Sequence, residues 1–80
     1  MKKGPFKIYF SDGTLQSEGT YKDDKLNGPW KLYHENGHLY QEGTYKDGKE
    51  DGLWKIYNKD GQLKLEETYK DGELIESKEY

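Results

Sequence analysis

Histidine and serine are the residues to consider first for nucleophilic or metal chemistry, since the many acidic residues sit opposite lysines or in turns. His34 and His38 flank a predicted turn, with Glu35 between them, and Ser17 and Ser77 are the serines outside the turns. A hydrolase needs a nucleophile beside a positioned base, and this pattern pairs neither serine with a histidine. Two histidines do not complete a metal site, although a weak surface ion site near Glu35 is the alternative to solvated turn residues. We therefore predict a non-catalytic protein with no metal site and no cofactor.

Tyrosines recur every 24 residues, at Tyr9, Tyr33 and Tyr57. Strand alternation places them on one face with lysines, glutamates and Tyr40. Aligned tyrosine rings can stack a peptide, a sugar or a lipid headgroup. The alternative is that the rings form a second packing layer in a thin sheet with few aliphatic side chains.

A second aromatic stripe contains Phe6, Trp30 and Trp54, again 24 residues apart. Rings of this size bury much area, so we interpret the stripe as the packed face of the sheet. Trp and Tyr are also the usual anchors of interfaces, and the functional alternative is a homotypic or partner interface. The candidate binding residues of the two stripes are Tyr9, Tyr33, Tyr40, Tyr57, Trp30 and Trp54.

Charge argues against several classes of partner. The 80 residues include 13 basic side chains, all lysine, against 16 acidic ones, for a net charge of −3. A phosphate-binding surface carries clustered Arg and Lys, so we predict no nucleic-acid partner. Neighbouring glutamates match the lysines, which argues against binding to anionic membranes, and no apolar stretch reaches signal-peptide or transmembrane length. If the N-terminus is native we expect a cytoplasmic protein; otherwise the compartment is open.

The sequence repeats with a period of 24 residues and without gaps. The units are 4–27, 28–51 and 52–75, followed by a tail, 76–80, in a single domain spanning 1–80. Each unit contains an Asp-Gly or Asn-Gly pair between two strand-like runs. Such a pair is the strongest short signal for a type I′ hairpin turn, which needs positive φ at both central residues. Each unit therefore predicts a β-hairpin, with second strands near 15–22, 39–46 and 63–70.

Turns centred on these pairs bring chemically compatible residues together. Lysine meets glutamate at the same place in all three hairpins, and a large ring meets glycine in the first two. The predicted partners are Lys7 with Glu18, Lys31 with Glu42, Lys55 with Glu66, Phe6 with Gly19, Trp30 with Gly43, Trp54 with Glu67 and, across the next reversal, Gln41, and His34 with Leu39.

The predicted fold is all-β: an antiparallel meander of three stacked β-hairpin repeats plus a closing C-terminal strand, in a single elongated twisted sheet. Seven strands about 4.8 Å apart make a ribbon roughly 30 Å across, too narrow to close. The packed face is expected to carry Phe6, Ile8, Phe10, Leu15, Tyr21, Trp30, Leu32, Leu39, Tyr45, Trp54, Ile56, Leu63 and Tyr69. The wet face is expected to carry Lys7, Tyr9, Glu18, Lys31, Tyr33, Tyr40, Glu42, Lys55, Tyr57 and Glu66.

The recurring pattern G-x-W-K-x-Y, then D/N-G-x-L, then E-G-T-Y-K-D-G resembles the bacterial variant of the MORN repeat, of the kind found in antitoxin-like proteins of toxin-antitoxin systems. The resemblance covers residues 4 to about 75. It implies an elongated sheet of stacked hairpins used for protein or membrane contact. Departures from the pattern are Asp24 in place of Gly, and Glu67 in place of Gly19 and Gly43.

Our functional hypothesis from the sequence is a non-catalytic protein-interaction or scaffold module, with an antitoxin-like role as the form that the resemblance implies. Its partner is a protein of unknown identity or a second copy in a homodimer. The alternative is a small-ligand binder, for carbohydrate or lipid headgroup, that uses Tyr9, Tyr33 and Tyr57. The sequence also leaves open whether the three units belong to a longer repeat array.

Overall fold

Nine β-strands form one antiparallel sheet in the computed structural model, which describes residues 2–80. The strands are β1 (Gly4–Tyr9), β2 (Leu15–Lys22), β3 (Lys25–Leu26), β4 (Gly28–Tyr33), β5 (Leu39–Lys46), β6 (Lys49–Glu50), β7 (Gly52–Tyr57), β8 (Leu63–Lys70) and β9 (Glu73–Glu79). The seven longer strands lie in the order β1-β2-β4-β5-β7-β8-β9, and β3 and β6 pair with β2 and β5. The predicted meander and its closing strand are confirmed.

The sheet is a single layer. Its extents are 38 × 37 × 12 Å, and 12 Å is the thickness of one sheet with its side chains. Within residues 2–80, Trp54 is the one buried apolar side chain. Both faces of the sheet are therefore close to solvent, and packing depends on contacts within each face.

Away from the turns, the hairpin pairings follow the prediction in all three units. Lys31 lies opposite Glu42 and Trp30 opposite Gly43, with equivalent pairs in the first hairpin. In the third hairpin Trp54 lies opposite Glu67 as predicted. Local pairing chemistry was thus sufficient to set the register inside each unit.

The hairpin turns are not of the predicted type. The Gly13 N–H donates to the Phe10 carbonyl at 2.9 Å, and the Phe10 N–H donates to the Thr14 carbonyl at 2.7 Å. The loop therefore has three residues, in which Gly13 alone adopts a positive φ, of 92°. An Asp-Gly pair suits this turn too, because its glycine takes the left-handed position while Asp12 stays in the ordinary region.

A one-residue bulge follows each three-residue loop. In the second hairpin Tyr33 lies opposite Leu39, and Leu32 lies opposite Gln41, so Tyr40 is the extra residue. Directly opposed residues share a face, and the bulged residue shares the face of the residue after it. Leu39 therefore lies on the face of Tyr33, and Tyr40 on that of Leu32, contrary to the predicted assignment.

The same correction applies to the neighbouring hairpins. Leu15 lies opposite Tyr9 and Leu63 opposite Tyr57, so both leucines share the face of the tyrosines. His34 does not face Leu39, because its backbone N–H donates to the carbonyl of His38 at 2.8 Å.

The register between β5 and β7 differs by two residues from the predicted one. Gln41 lies opposite Ile56, so Trp54 falls beside Gly43 and not beside Gln41. The chain first follows the β5–β6 ladder as far as Asp51, whose N–H donates to the Thr44 carbonyl at 3.0 Å. It then gains two residues relative to β5 before Trp54 comes to lie beside Gly43. A shift of two residues leaves each side chain on its original face, so the face of Trp54 is as predicted.

Positive φ at both central turn residues occurs instead at the reversals between units. Asp47 and Gly48 have φ of 51° and 84°. The Gly48 N–H donates to the Leu26 carbonyl at 2.8 Å, and the Gly72 N–H donates to the Glu50 carbonyl at 2.9 Å. The reversals of successive repeats are therefore stacked and hydrogen-bonded to each other.

Candidate interaction surfaces

A continuous ladder of aromatic rings crosses one face of the sheet. The Tyr45 centroid lies 5.8 Å from that of Trp30 and 4.9 Å from that of Trp54, edge to face in both pairs. These distances lie in the range in which aromatic pairs attract each other. We call this surface the Trp face; its rings are Phe6, Tyr21, Trp30, Tyr45, Trp54 and Tyr69.

Glycine makes room for these rings. A Cβ at Gly19 would lie 2.9 Å from Cε3 of Trp30, and a Cβ at Gly43 would lie 2.1 Å from Cδ2 of Trp54. Each tryptophan thus rests on bare backbone of the preceding repeat. Glu67 occupies the equivalent place in the third repeat, so the ring ladder stops there.

The two tryptophans differ in exposure and in hydrogen bonding. Trp54 is 2% exposed, and its Nε1 has no hydrogen-bond partner among the described residues. The Trp30 Nε1–H donates to Gln41 Oε1 at 3.4 Å, whereas Leu65 stands in the position that corresponds to Gln41. Trp54 therefore serves packing, since it offers a partner almost no surface.

The tyrosine stripe lies on the opposite face, which we call the Tyr face. The Tyr57 hydroxyl donates to Glu42 Oε1 at 2.8 Å, and the Tyr33 hydroxyl donates to Glu18 Oε1 at 3.5 Å. Each bond joins a tyrosine to a glutamate 15 residues earlier, in the preceding repeat. This spacing was present in the sequence, but we had assigned those glutamates to lysine alone.

Burial and the glutamates hold these hydroxyls in the neutral form. Burial is the main reason that the pKa of Tyr57 rises to about 12, and the hydrogen bond to Glu42 adds to it. The pKa of Tyr33 is raised too, again by burial first and then by the charge of Glu18. Tyr9 is 56% exposed and is the open member of the stripe.

A groove lies at the hairpin-loop end of the Trp face. Tyr40 stacks on His34 with ring centroids 4.5 Å apart, and the His34 Nε2 lies 3.1 Å from the Tyr57 carbonyl oxygen. The groove has a volume of about 390 Å³. We call it the loop groove; its apolar floor and basic rim include His34, Tyr40, Ile56, Leu65, Lys59 and Lys64.

The last strand has an open edge with exposed apolar side chains. β9 pairs with β8 on one side and with no other strand among residues 2–80. Leu74, Ile75 and Tyr80 are 51%, 61% and 59% exposed. The sequence interpretation did not single out these side chains, although a Leu-Ile pair beside a closing strand was visible.

The structure shows where the candidate metal ligands and the serine nucleophile Ser17 lie in the described part of the chain. No group of three or more His, Cys, Asp or Glu side chains among residues 2–80 is placed to hold a metal ion. Ser17 is 4% exposed and lies opposite Leu32 and Ile8 in the sheet. No helix long and apolar enough to cross a membrane is present in this part of the protein.

Comparison with known proteins identifies the repeat. A family model described as MORN repeat variant matches three segments, at residues 2–23, 26–47 and 50–71. Together these segments make up well over half of the chain. No curated protein and no solved structure matched it.

Proposed function

Because the chain belongs to the family of MORN repeat variants, whose repeats are in general non-catalytic interaction and scaffold modules, we propose that it is a protein-interaction module that binds its partner in the loop groove. One observation carries the proposal: a single-layer sheet leaves apolar side chains open to solvent, and at the loop groove they adjoin two lysines. An enclosed core would have covered such side chains.

The chemistry of the groove suggests the kind of partner. Tyr40, which is 42% exposed, and Ile56 provide aromatic and aliphatic contact area. Lys59 and Lys64 line the same groove and attract negative charge. The proposed occupant is therefore a segment of another protein that carries an apolar side chain with acidic neighbours.

The six candidate residues then differ in role. Tyr40 contacts the partner directly, and Tyr57 meets the groove through its backbone, whose carbonyl oxygen lies 3.1 Å from His34 Nε2. Trp30, Trp54 and Tyr33 hold the sheet in shape through ring packing and hydrogen bonds. Tyr9 lies on the other face and is the matched control for Tyr40.

The test compares partner capture by matched variants. The immobilised chain is incubated with extract of its source cells, and captured proteins are cross-linked and identified by mass spectrometry. We expect Tyr40→Ala and Lys59→Glu each to reduce capture of the partner at least about tenfold, the loss typical of a central interface residue. Tyr9→Ala should capture as much as the unmodified chain.

Two outcomes would contradict the proposal. Absence of any specifically captured protein would contradict the interaction function, and equal capture by Tyr40→Ala would contradict the groove as its site. The family match concerns the repeat and not an antitoxin role, so the proposal is limited to protein interaction.

Binding of a carbohydrate or lipid headgroup by Tyr9, Tyr33 and Tyr57 is the weaker alternative. The hydroxyls of Tyr33 and Tyr57 are already bonded to glutamates, which leaves Tyr9 as the open polar group. Titration of glycans and of headgroup-bearing vesicles, followed by tryptophan fluorescence, separates the two hypotheses. A saturable response that Tyr9→Ala removes would favour the alternative.

A further inference from the structure

The free edge of β9 combines exposed apolar side chains with unused backbone groups. Among residues 2–80, seven large apolar side chains are exposed, and three of them, Leu74, Ile75 and Tyr80, lie on or directly after this strand. The other edge strand, β1, carries Pro5, which has no N–H to donate and protects an edge from pairing. β9 contains no proline. The two edges of the sheet are thus unequal, and β9 is the one open to another strand.

The pairing of β9 with β8 shows which backbone groups point outward. The Tyr80 N–H donates to the Lys64 carbonyl at 2.9 Å. Two residues along each strand from this pair, Glu66 lies opposite Lys78. In an antiparallel ladder every second residue bonds to the same neighbour, so Glu76 and Lys78 also bond to β8. Ser77 and Glu79 therefore direct their N–H and C=O groups to the free edge.

We infer that this edge pairs with the β9 edge of a second copy, in an antiparallel arrangement whose two-fold axis passes through Ser77. The inference goes beyond the proposed function, because it concerns the β9 edge and not the loop groove. The two sheets would then continue into each other across the new ladder, with Ser77 opposite Ser77 of the second copy.

Charge selects this register over its neighbours. With the axis at Ser77, Lys78 of each copy lies opposite Glu76 of the other, which gives two opposite-charge pairs. An axis at Glu76 would oppose two glutamates, and an axis at Lys78 would oppose two lysines. Like charges directly opposite each other destabilise a strand pair, so the Ser77 register is favoured.

The same register covers exposed apolar surface. Beyond the regular ladder, Leu74 of each copy comes near Tyr80 of the other, and these side chains are 51% and 59% exposed in the single chain. Ser77 lies opposite Glu67 in the same way that Trp54 lies beside Gly43 in the preceding repeat. Ser77 therefore occupies the place of the tryptophan. A small side chain at the axis leaves room for the second backbone to approach.

The bulge at Ile75 limits the length of the ladder. Thr68 lies opposite Glu76 while Tyr69 lies opposite Leu74, so Ile75 is the extra residue of β9. The regular part of the new ladder is centred on the three residues from Glu76 to Lys78. A short interface of this kind gives a weak, concentration-dependent dimer.

Light scattering coupled to size-exclusion chromatography, over a range of loading concentrations, tests the inference. The unmodified chain should move from monomer to dimer mass as concentration rises. Lys78→Glu converts both attractive pairs to repulsive ones and should raise the dissociation constant at least about tenfold. The double variant Glu76→Lys, Lys78→Glu restores opposite charges and should restore the dimer.

The charge swap separates the interface from effects inside one chain. Lys78→Glu also meets Glu66 within its own sheet, but the double variant keeps that contact, and its second substitution lies opposite the uncharged Thr68 in the same sheet. The restored attraction is therefore the one across the proposed axis. Ser77→Pro is a second test, because the N–H that it removes points away from β8; this variant should be monomeric, with the circular dichroism of the unmodified chain. A monomer mass for the unmodified chain at every concentration would overturn the inference, as would failure of the double swap to restore a dimer that Lys78→Glu had lost.

The same variants separate this inference from the proposed function. Capture of a partner by monomeric Ser77→Pro would support the loop groove independently of the dimer. A dimer without partner capture would support the edge pairing and contradict the groove.

Discussion

The indole of Trp54 lies on the backbone of Gly43, so close that a Cβ on that glycine would come within 2.1 Å of Cδ2. Gly43 belongs to β5 and Trp54 to β7, so this contact joins the second repeat to the third. It is also the place where the one buried apolar side chain of the described residues meets bare main chain. A methyl group at this position must displace the ring or the strand.

We therefore expect Gly43→Ala to destabilise the protein by about 3 kcal/mol, at the upper end of the usual cost of overpacking. Gly19→Ala is the matched control, because its Cβ would lie 2.9 Å from Cε3 of Trp30 and needs a smaller shift. Its expected cost is about 1 kcal/mol. Urea unfolding followed by tryptophan fluorescence measures both values, and equal costs would contradict the difference in ring contact.

Because the Nε1–H of Trp54 has no hydrogen-bond partner among the described residues, a new side-chain acceptor beside it should interact favourably with the indole. Leu65→Gln places in the third repeat the amide that accepts from Trp30 in the second. The substitution loses apolar area, so its total effect is not the test. In a double-mutant cycle with Trp54→Phe, the glutamine should be more favourable by about 1 kcal/mol when the indole is present. A coupling of zero would mean that the amide does not reach Nε1.

The bond between Tyr57 and Glu42 predicts a loss of stability at alkaline pH. The pKa of Tyr57 is raised to about 12 in the folded protein, against about 10 in an unfolded chain. Because the folded state holds this proton more tightly, the raised pKa contributes its full stabilisation below about pH 10. The stabilisation is lost as the pH rises from about 10 to about 12. Tyr57→Phe should therefore show a shallower decline in the free energy of unfolding over that range.

Urea unfolding at a series of pH values checks this expectation. Tyr9→Phe is the matched control, because it removes the equivalent hydroxyl of the first repeat from a side chain that is 56% exposed. If Tyr57→Phe and the unmodified chain declined in parallel, the hydroxyl would not be the group responsible.

The first inter-repeat turn predicts a stabilising substitution. Asp24 has φ of 67°, whereas Gly48 has the equivalent place in the second repeat with φ of 84°. A side chain in the left-handed region is strained, and the backbone of glycine is not. Asp24→Gly should therefore stabilise the folded protein by about 1 kcal/mol. This net value includes a small cost, because the substitution removes the exposed hydrogen bond that the Lys2 N–H donates to the Asp24 carboxylate.

The reverse substitution is its control. Gly48→Asp should cost about 1 kcal/mol, because the nearest atom to a Cβ there is 3.7 Å away and strain rather than collision decides the effect. Thermal unfolding of both variants measures the pair. A destabilised Asp24→Gly would show that the carboxylate contributes more than the strain costs.

Pairing chemistry inside each unit made most of the fold predictable. The Lys31–Glu42 and Trp30–Gly43 pairs follow from the position of Asn36-Gly37, and both occur in the structure. The turn type did not follow, because Asn-Gly suits a two-residue type I′ turn and a three-residue loop that ends in a left-handed glycine. The two turn types differ in loop length and in the compensating bulge at Tyr40, and no residue preference in the sequence indicates that bulge.

The candidate site was less predictable than the fold. The bulge moves Tyr40 to the Trp face and creates the loop groove beside Ile56, whereas simple alternation had kept the two apart. The inter-repeat register of Trp54 was also missed, because the chain gains two residues relative to β5 after Asp51, and the positive φ of Gly52, 84°, was not predicted. Where a bulge changes the periodicity, side-chain alternation no longer locates a site.

The stacked reversals have a consequence for how the protein unfolds. Gly48 bonds to the first repeat and Gly72 to the second, and strand pairing likewise joins only neighbouring units. Such an array behaves as a one-dimensional chain of coupled elements, in which an end unit can detach while the rest remains folded. Amide hydrogen exchange should accordingly be slowest in β4 and β5, which have folded neighbours on both sides, and should quicken progressively toward β1 and β9.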